Sequence, residues 1–416
     1  MSEHHDVVVI GGGQAGLVAS HELSSRGVDH VVLERERIAE SWRRSRWDSL
    51  MFQFPNSVLA LPGQPYAGSD PDGFSHHTEV LRLLERYAAL VAAPVRESTP
   101  VLSLDRVRDR WRTRTPDGEI ASRAVVVATG PFQRARIPAV AADLPGGLAQ
   151  LHAVDYRNPG LLPDGAVLVV GSGASGAQIA EELVGAGRTV YLCLNRHRRV
   201  PRRVLGHDVT TWLVELGLMA RTRADWVDGR MPPTVLVTGV DGGHDVDLRR
   251  LGARGVVLLG RLTGASGDVV RFADDAEPIL AAADEMYDAF VRAVAERAGA
   301  PVPARPPSTP VPPRPELSLR AAGVTTVIWA TGYDFDHGWL HAPCFDESGD
   351  PVQRRGVTDV TGLYFLGLHW MHTFGSGTFL GLGDDAAHVV EHLSRFLQAT
   401  DPRNEGQGAT AADGAP

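Results

Sequence analysis

The sequence predicts an α/β fold with two dinucleotide-binding, Rossmann-like units, the second inserted into the first. Three observations predict it. A strand-like run ends in a glycine turn twice, at Gly11-x-Gly13-x-x-Gly16 and at Gly171-x-Gly173-x-x-Gly176. Two further apolar runs, Ala124–Val127 and Val324–Trp329, both finish in Ala-Thr-Gly. The 416 residues, 43% of them hydrophobic, also suffice for two or three domains with cores of their own.

Each element follows from local pattern. Asp6–Ile10 reads as a buried strand, the glycines as a tight turn, and the stretch to about Ser25 as a helix. Asp29–Leu33 completes the first β-α-β unit. Ala166–Val170, a helix to about Val184 and Thr189–Leu194 repeat it. A late strand, Gly362–Gly367, precedes a glycine-rich turn and a final helix over about Leu380–Leu397. A helix is expected near Ile279–Ala298. The segment Pro301–Pro315 follows, with eight prolines in fifteen residues, and reads as an extended connector. The division expected is 1–158 for the first unit, 159–318 for the second with its connector, 319–400 for the return of the first, and 401–416 as a disordered tail.

Composition excludes several chemistries. All 41 positive charges are arginine, so no Schiff-base, P-loop or kinase-type lysine exists. A net charge of −9 argues against a general nucleic-acid binder. Cys193 and Cys344 form neither C-x-x-C nor metal spacing, and read as buried thiols. His4-His5 and His76-His77 lack companion ligands, so no metal is expected. No apolar run approaches the roughly 18–20 residues that span a bilayer. No signal peptide precedes the first strand, so the expectation is a soluble, cytoplasmic protein.

The two glycine motifs carry the chemistry. The first glycine permits the turn, the second lets backbone approach a pyrophosphate, and the third lets helix and strand pack closely. Glu34 stands eighteen residues beyond Gly16, where a carboxylate accepts from ribose hydroxyls. Eighteen residues beyond Gly176 comes Leu194, then Asn195, Arg196, His197, Arg198 and Arg199. No acid holds the ribose position there, and guanidinium groups suit a 2′-phosphate. Arg196 is the best single candidate. An acid-ended unit and an arginine-ended unit fit FAD in the first and NADPH in the second, with hydride passing between them. A dithiol–disulfide reductase would need a cysteine pair that this chain lacks.

From Asp6 to about Leu397 the sequence resembles the class B flavin-dependent monooxygenases, a group with flavin-containing, Baeyer–Villiger and plant auxin-forming members. The likeness rests on both glycine motifs, Ser41–Leu50, Val125–Pro131, Trp329–Tyr333 and Gly362–Leu368. It also extends to bacterial relatives labelled as flavoproteins of potassium transport, a label that nothing membrane-spanning here supports. The family's linker signature is half present: His152 and Tyr156 match, while Gly146 and Leu148 stand where Phe and Gly are expected and Gly147 is one residue out of place.

The resemblance implies a C4a-(hydro)peroxyflavin that transfers one oxygen atom from O2 to a heteroatom, an amine or a carbonyl carbon. It places Asn56, in Phe54-Pro-Asn-Ser57, near the reactive edge of the flavin and gives His152 a role coupling the domains. Trp42 and Trp47 are candidates to line the isoalloxazine. Trp370–Gly381 reads as the flavin-side loop, with no basic residue at Phe374-Gly375. Cofactor contacts are expected from Gly11, Gly13, Gln14, Ala15, Gly16, Glu34, Arg35, Val101, Thr129 and Gly130 in the first stretch. They are also expected from Gly171, Gly173, Ser175, Gly176, Arg196, Arg198, Ala330, Thr331, Gly332, Gly367, Gly377 and Thr378. Expected partners are a small-molecule substrate and dioxygen, with a homodimer as the candidate assembly. Two alternatives stay open: an NADPH-dependent reductase or oxidase without oxygenation, and a redox-sensing flavin-binding protein.

Overall fold

The computed structural model describes residues 3–225, 235–305 and 307–400; the expected tail 401–416 lies outside the described residues. The chain opens as β1 (Glu3–Ile10), α1 (Gln14–Ser25) and β2 (His30–Leu33). Next come α2 (His77–Leu90), β3 (Val95–Arg96), β4 (Ser103–Val107), β5 (Arg110–Thr115) and β6 (Gly118–Val127). The second unit contains β7 (Ala149–His152), β8 (Ala166–Val170), α3 (Ala174–Gly185), β9 (Val190–Cys193), β10 (Val257–Leu259) and α4 (Ala276–Ala298). It closes with β11 (Val324–Trp329). The chain then returns to the first sheet with β12 (Leu340–His341) and β13 (Leu363–Phe365), and ends in α5 (Leu382–Ala399).

The first sheet runs β12-β4-β5-β6-β1-β2-β3. β6 changes partner along its ten residues. Its start pairs antiparallel with β5, and its end pairs parallel with β13. Val7–Ile10 and Ala124–Val127 are apolar and buried throughout, as parallel strands covered on both faces require. Helix α5 buries Val389, Val390, Leu393 and Leu397, a stripe at helical spacing, and packs against α1.

The second sheet runs β10-β9-β8-β11-β7. Here the sequence-based division needs correction. β7 lies before the boundary expected at 158, and β11 lies after the one expected at 318, yet both pair in the second sheet. The physical reason is burial. Val327, Ile328 and Trp329 are fully buried, and a strand apolar on both faces belongs inside a covered parallel sheet. β11 finds that place between β8 and β7.

The expected connector shows no regular structure before Glu316 among its described residues. It is laid along α4 by ion pairs from Arg305 to Asp284 (2.9 Å) and Asp288 (3.1 Å). The Val311 N–H donates to Glu277 Oε2 at 2.9 Å. No helix among the described residues is long and apolar enough to cross a membrane.

Candidate functional site

The two glycine turns are near copies. Gly11 donates its N–H to Leu33 O, and Gly171 donates to Cys193 O. Both first glycines adopt positive φ, +112° and +105°. A Cβ on Gly11 would lie 2.6 Å from Ala128 O, and one on Gly171 would lie 2.5 Å from Ala330 O. Each first glycine thus needs its backbone freedom and also abuts an Ala-Thr-Gly strand ending. The register agrees: Ile10 pairs Val127, and Val170 pairs Trp329. A Cβ on Gly16 or Gly176 would stand 1.9 Å from the carbonyl of its own first glycine.

The middle glycines differ. A Cβ on Gly13 or Gly173 would meet nothing within 4 Å. Both are helix N-caps, and neither helix receives a side-chain cap. The first N–H groups of α1 and α3 therefore face open space with the positive end of the helix behind them, as an anion site requires. These cradles fit the pyrophosphates of two dinucleotides.

Around the first cradle, Glu34 accepts the Gly12 N–H at 2.6 Å and the Glu36 N–H at 2.9 Å, one on each oxygen. A carboxylate has about four acceptor sites, so capacity remains for ribose hydroxyls. Arg35 is exposed beside it. Gln14 donates to Gly377 O at 2.9 Å. Gly367 lies so close to α1 that a Cβ there would stand 2.5 Å from that of Ala15. Thr378 Oγ1 donates to Gly375 O and accepts from the Leu380 N–H, shaping the turn before α5. Thus Gly367–Thr378 is brought against Gln14 and Ala15 from the far end of the chain. Thr129 and Gly130 are tied together by Gln133 Nε2, which donates to Thr129 Oγ1 (2.9 Å) and Gly130 O (2.8 Å). Val101 packs half-buried against the first core.

Around the second cradle, Ser175 is exposed in the first turn of α3. The arginine cluster divides. Arg196 is exposed. Arg198 is half-buried with its guanidinium 5.8 Å above Phe374, and burial pulls it down to about 10. Arg199 turns inward and is locked by Asp284 (2.5 Å) and Asp247 (2.6 Å). Phe374 and Gly375 donate backbone N–H bonds to Arg221 O and Met219 O. The second unit therefore supplies the basic group that the sequence lacks at Phe374-Gly375.

Thr331 and Gly332 lie where the units meet. Thr331 Oγ1 donates to Arg136 O, and Gly332 O accepts from His152 Nε2 at 3.1 Å. His152 Nδ1 accepts the Val154 N–H at 3.2 Å. Both ring nitrogens are thus engaged, and burial depresses the ring's pKa. His152 is held neutral at the join between β7 and β11, which suits a coupling role and leaves no nitrogen for proton transfer. Asn56 is buried and staples a loop: its Nδ2 donates to Asp70 O (2.9 Å), and its Oδ1 accepts from Ser75 Oγ (2.7 Å). One amide N–H remains for a ligand. Trp42 sits half-buried against the first core, 6.1 Å from Phe52. Trp47 is buried with the second core, its ring 6.5 Å from that of Tyr156, and it also lines a cavity along α3.

Several residues at this junction were not read from sequence. Phe74 is a wedge: a Cβ on Gly239 or Gly243 would collide with it at 2.8 Å and 2.4 Å. Arg202 stacks on its ring at 4.3 Å and donates to Gln53 O. Beside this wedge is a cavity of about 480 Å³ lined by Met51, Asp70, Phe74, Gly239 and Asp241. A second cavity, about 390 Å³, adjoins it along α3 through Ser49, Val240 and Asp241.

His337 is sandwiched between Phe335 and Phe345, 5.2 Å from each, with its Nε2 3.1 Å from Gln133 Nε2. Burial lowers its pKa to about 4, against about 6.5 when unfolded. The unfolded chain therefore takes up this proton first. The stabilisation is complete above pH ~6.5 and is lost as pH falls toward ~4, by up to about 3 kcal/mol. Denaturant unfolding between pH 7 and 4.5 should lose stability less steeply in His337→Phe than in the parent. Equal slopes would show that His337 contributes nothing to acid sensitivity.

Residues 8–214 match the family model described as pyridine nucleotide-disulphide oxidoreductase. An uncharacterized CzcO-like oxidoreductase of Geobacillus kaustophilus is 32% identical over 395 residues, covering 93% of this chain and 98% of the relative. The indole-3-pyruvate monooxygenase YUCCA1 of Oryza sativa is 26% identical, covering 93% and 90%. The chain belongs to the class B flavin-dependent monooxygenase family. Its fold matches a flavin-containing monooxygenase from Stenotrophomonas maltophilia with a TM-score of 0.68, at 23% identity, over 95% of this chain and 99% of that one. Within this monooxygenase family the disulphide chemistry of the broader family model has no footing here. Cys193 and Cys344 are both free and buried, and burial pushes both thiols up, Cys344 to about 11.

Proposed function

We propose that the chain is an FAD- and NADPH-dependent monooxygenase that transfers one atom of dioxygen to a small organic substrate at a heteroatom, an amine or a carbonyl carbon. The observation that carries this reading is the pair of matched glycine cradles, one ended by Glu34 and the other by Arg196, in a chain without a redox cysteine pair. FAD, when bound, accepts hydride from NADPH and activates dioxygen. The balance is NADPH, a proton, O2 and substrate giving NADP⁺, water and oxygenated substrate.

The chain's own groups bind and orient. The uncapped start of α1 holds one pyrophosphate, and Glu34 takes ribose hydroxyls. The start of α3 holds the other, with Arg196 and Arg198 at the 2′-phosphate. The turn Gly367–Thr378 and the start of α5 provide backbone donors toward the flavin ring. Asn56 offers its remaining N–H. Exclusion of water from the flavin is what this chemistry needs to avoid wasteful release of hydrogen peroxide. No acid–base dyad is required. The two cavities beside Phe74 and α3 are candidate space for substrate.

The test is turnover under ¹⁸O2 with a panel of sulfides, amines and ketones. The expected product carries one ¹⁸O atom, with less than one hydrogen peroxide per NADPH. Stoichiometric peroxide with no labelled product would favour the reductase or oxidase alternative. Negligible NADPH consumption across the panel would favour a redox-sensing flavin protein.

A further inference from the structure

The segment Trp42–Asp48 bridges the two units. Trp42 packs on the first core and Trp47 enters the second. Between them Arg46 is half-buried, its guanidinium 4.6 Å over the Trp42 ring. Among the described residues its one hydrogen bond is from Nη1 to the carbonyl of its neighbour Ser45, at 3.0 Å. No carboxylate among the described residues lies within ion-pair distance of it.

Three other inward arginines are neutralised by carboxylates. Arg199 has Asp247 and Asp284, Arg202 has Asp208, and Arg249 has Glu277 and Asp284. The groups facing Arg46 supply no charge. Burial raises the Tyr333 phenol and lowers the His77 ring, so both are neutral near pH 7. Asp48, the nearest acid in sequence, is exposed and accepts from Asn158. Desolvation correspondingly weakens the hold of Arg46 on its proton. A half-buried cation with no counter-ion carries a desolvation cost, and a π face offsets only part of it. A guanidinium with two nitrogens left unpartnered also presents a fork that matches a carboxylate or phosphate.

We propose that Arg46 is an anion anchor, whose guanidinium takes a carboxylate or phosphate group of a ligand seated between the two units. This rests on the monooxygenase reading only in that a ligand enters that cleft. The test therefore reads binding, not turnover.

FAD-loaded parent, Arg46→Met and Arg46→Lys proteins would be titrated with NADP⁺, inorganic phosphate, benzoate and its neutral analogue benzamide, following flavin absorbance. FAD release would be followed by fluorescence. Arg46→Met is expected to weaken at least one anionic ligand tenfold or more and to leave benzamide within twofold. Arg46→Lys should recover part of the loss. A loss confined to benzoate assigns the anchor to a substrate carboxylate. A loss confined to FAD, NADP⁺ or phosphate assigns it to cofactor phosphate. All affinities within twofold of the parent, or equal losses of benzoate and benzamide, would overturn the proposal. Should Arg46→Met fail to fold, Arg46→Lys keeps the charge over Trp42 and removes the fork, and the same ranking of ligands decides.

Discussion

Gly16→Ala is expected to destabilise the first unit severely, whereas Gly13→Ala is expected to leave it folded but poor at holding a dinucleotide. The two glycines are three residues apart in one motif, yet their surroundings are opposite. A methyl on Gly16 would stand 1.9 Å from Gly11 O, a backbone atom that cannot rotate away. Either the glycine turn or the start of α1 must move, and α1 is buried from Ala15 to Ser20. Overpacking of this kind costs about 3 kcal/mol or more. Gly13 has φ −83° and ψ −172°, which any residue can adopt, and open space at its Cβ. Its substitution disturbs only what lies in the cradle. About 3 kcal/mol of crowding against a pyrophosphate corresponds to roughly a 100-fold weaker Kd. Thermal unfolding of the apoprotein and FAD titration separate the two effects. Gly176→Ala and Gly173→Ala should repeat the contrast for NADPH. A Gly13→Ala protein that retained FAD with parental affinity would remove the pyrophosphate from this cradle.

The parts of the site legible in sequence are the ones built within about thirty residues. A strand, a glycine turn, a helix and a second strand form each cradle, and their periodicity and glycine spacing are local signals. The repeated Ala-Thr-Gly was legible as a motif, but not as a second-sheet ending. Which strand lies beside β8 depends on hydrogen bonds to residues about 160 positions earlier, and no local pattern records that choice. The same distance hid the roles of single side chains. Asn56 was read toward the flavin, while its amide is largely engaged by Asp70 and Ser75, fourteen and nineteen residues away. His337 owes its burial to Phe345 and Gln133, and Arg46 has no carboxylate within ion-pair distance among the described residues. A spare charge in the interior is a property of the three-dimensional neighbourhood, not of spacing.

Arg196 and Arg199 illustrate this within four residues, and their substitutions are expected to fail in different ways. Arg196→Glu should weaken NADPH by about 10- to 100-fold, the range that charge-assisted hydrogen bonds to a phosphate supply, and should change NADH by less than threefold. Arg196 is exposed beyond the end of β9, and thermal unfolding of the variant controls for any change in the fold. Equal losses for NADPH and NADH would sink the 2′-phosphate assignment. Arg199→Met should do the reverse. Its guanidinium joins Asp247, the N-cap of the helix Leu248–Ala253, to Asp284 on α4. Removing it leaves Asp247 without its ion-pair partner and Asp284 with only Arg249 and Arg305. Breaking a buried pair costs about 3 kcal/mol, so thermal unfolding should shift markedly. Both nucleotides should weaken together, and only to the extent that the second unit loosens. The carboxylates place a sign on the pH dependence as well. Asp284 is held below the ordinary carboxylate range by its arginines, so its share of stability is present near neutrality and is lost as pH falls through that lowered value. With Arg199 gone, Asp284 should titrate at a higher pH, and acid unfolding should begin earlier than in the parent. An Arg199→Met protein with parental stability but a selective loss of NADPH would mean that Arg199, not Arg196, faces the phosphate.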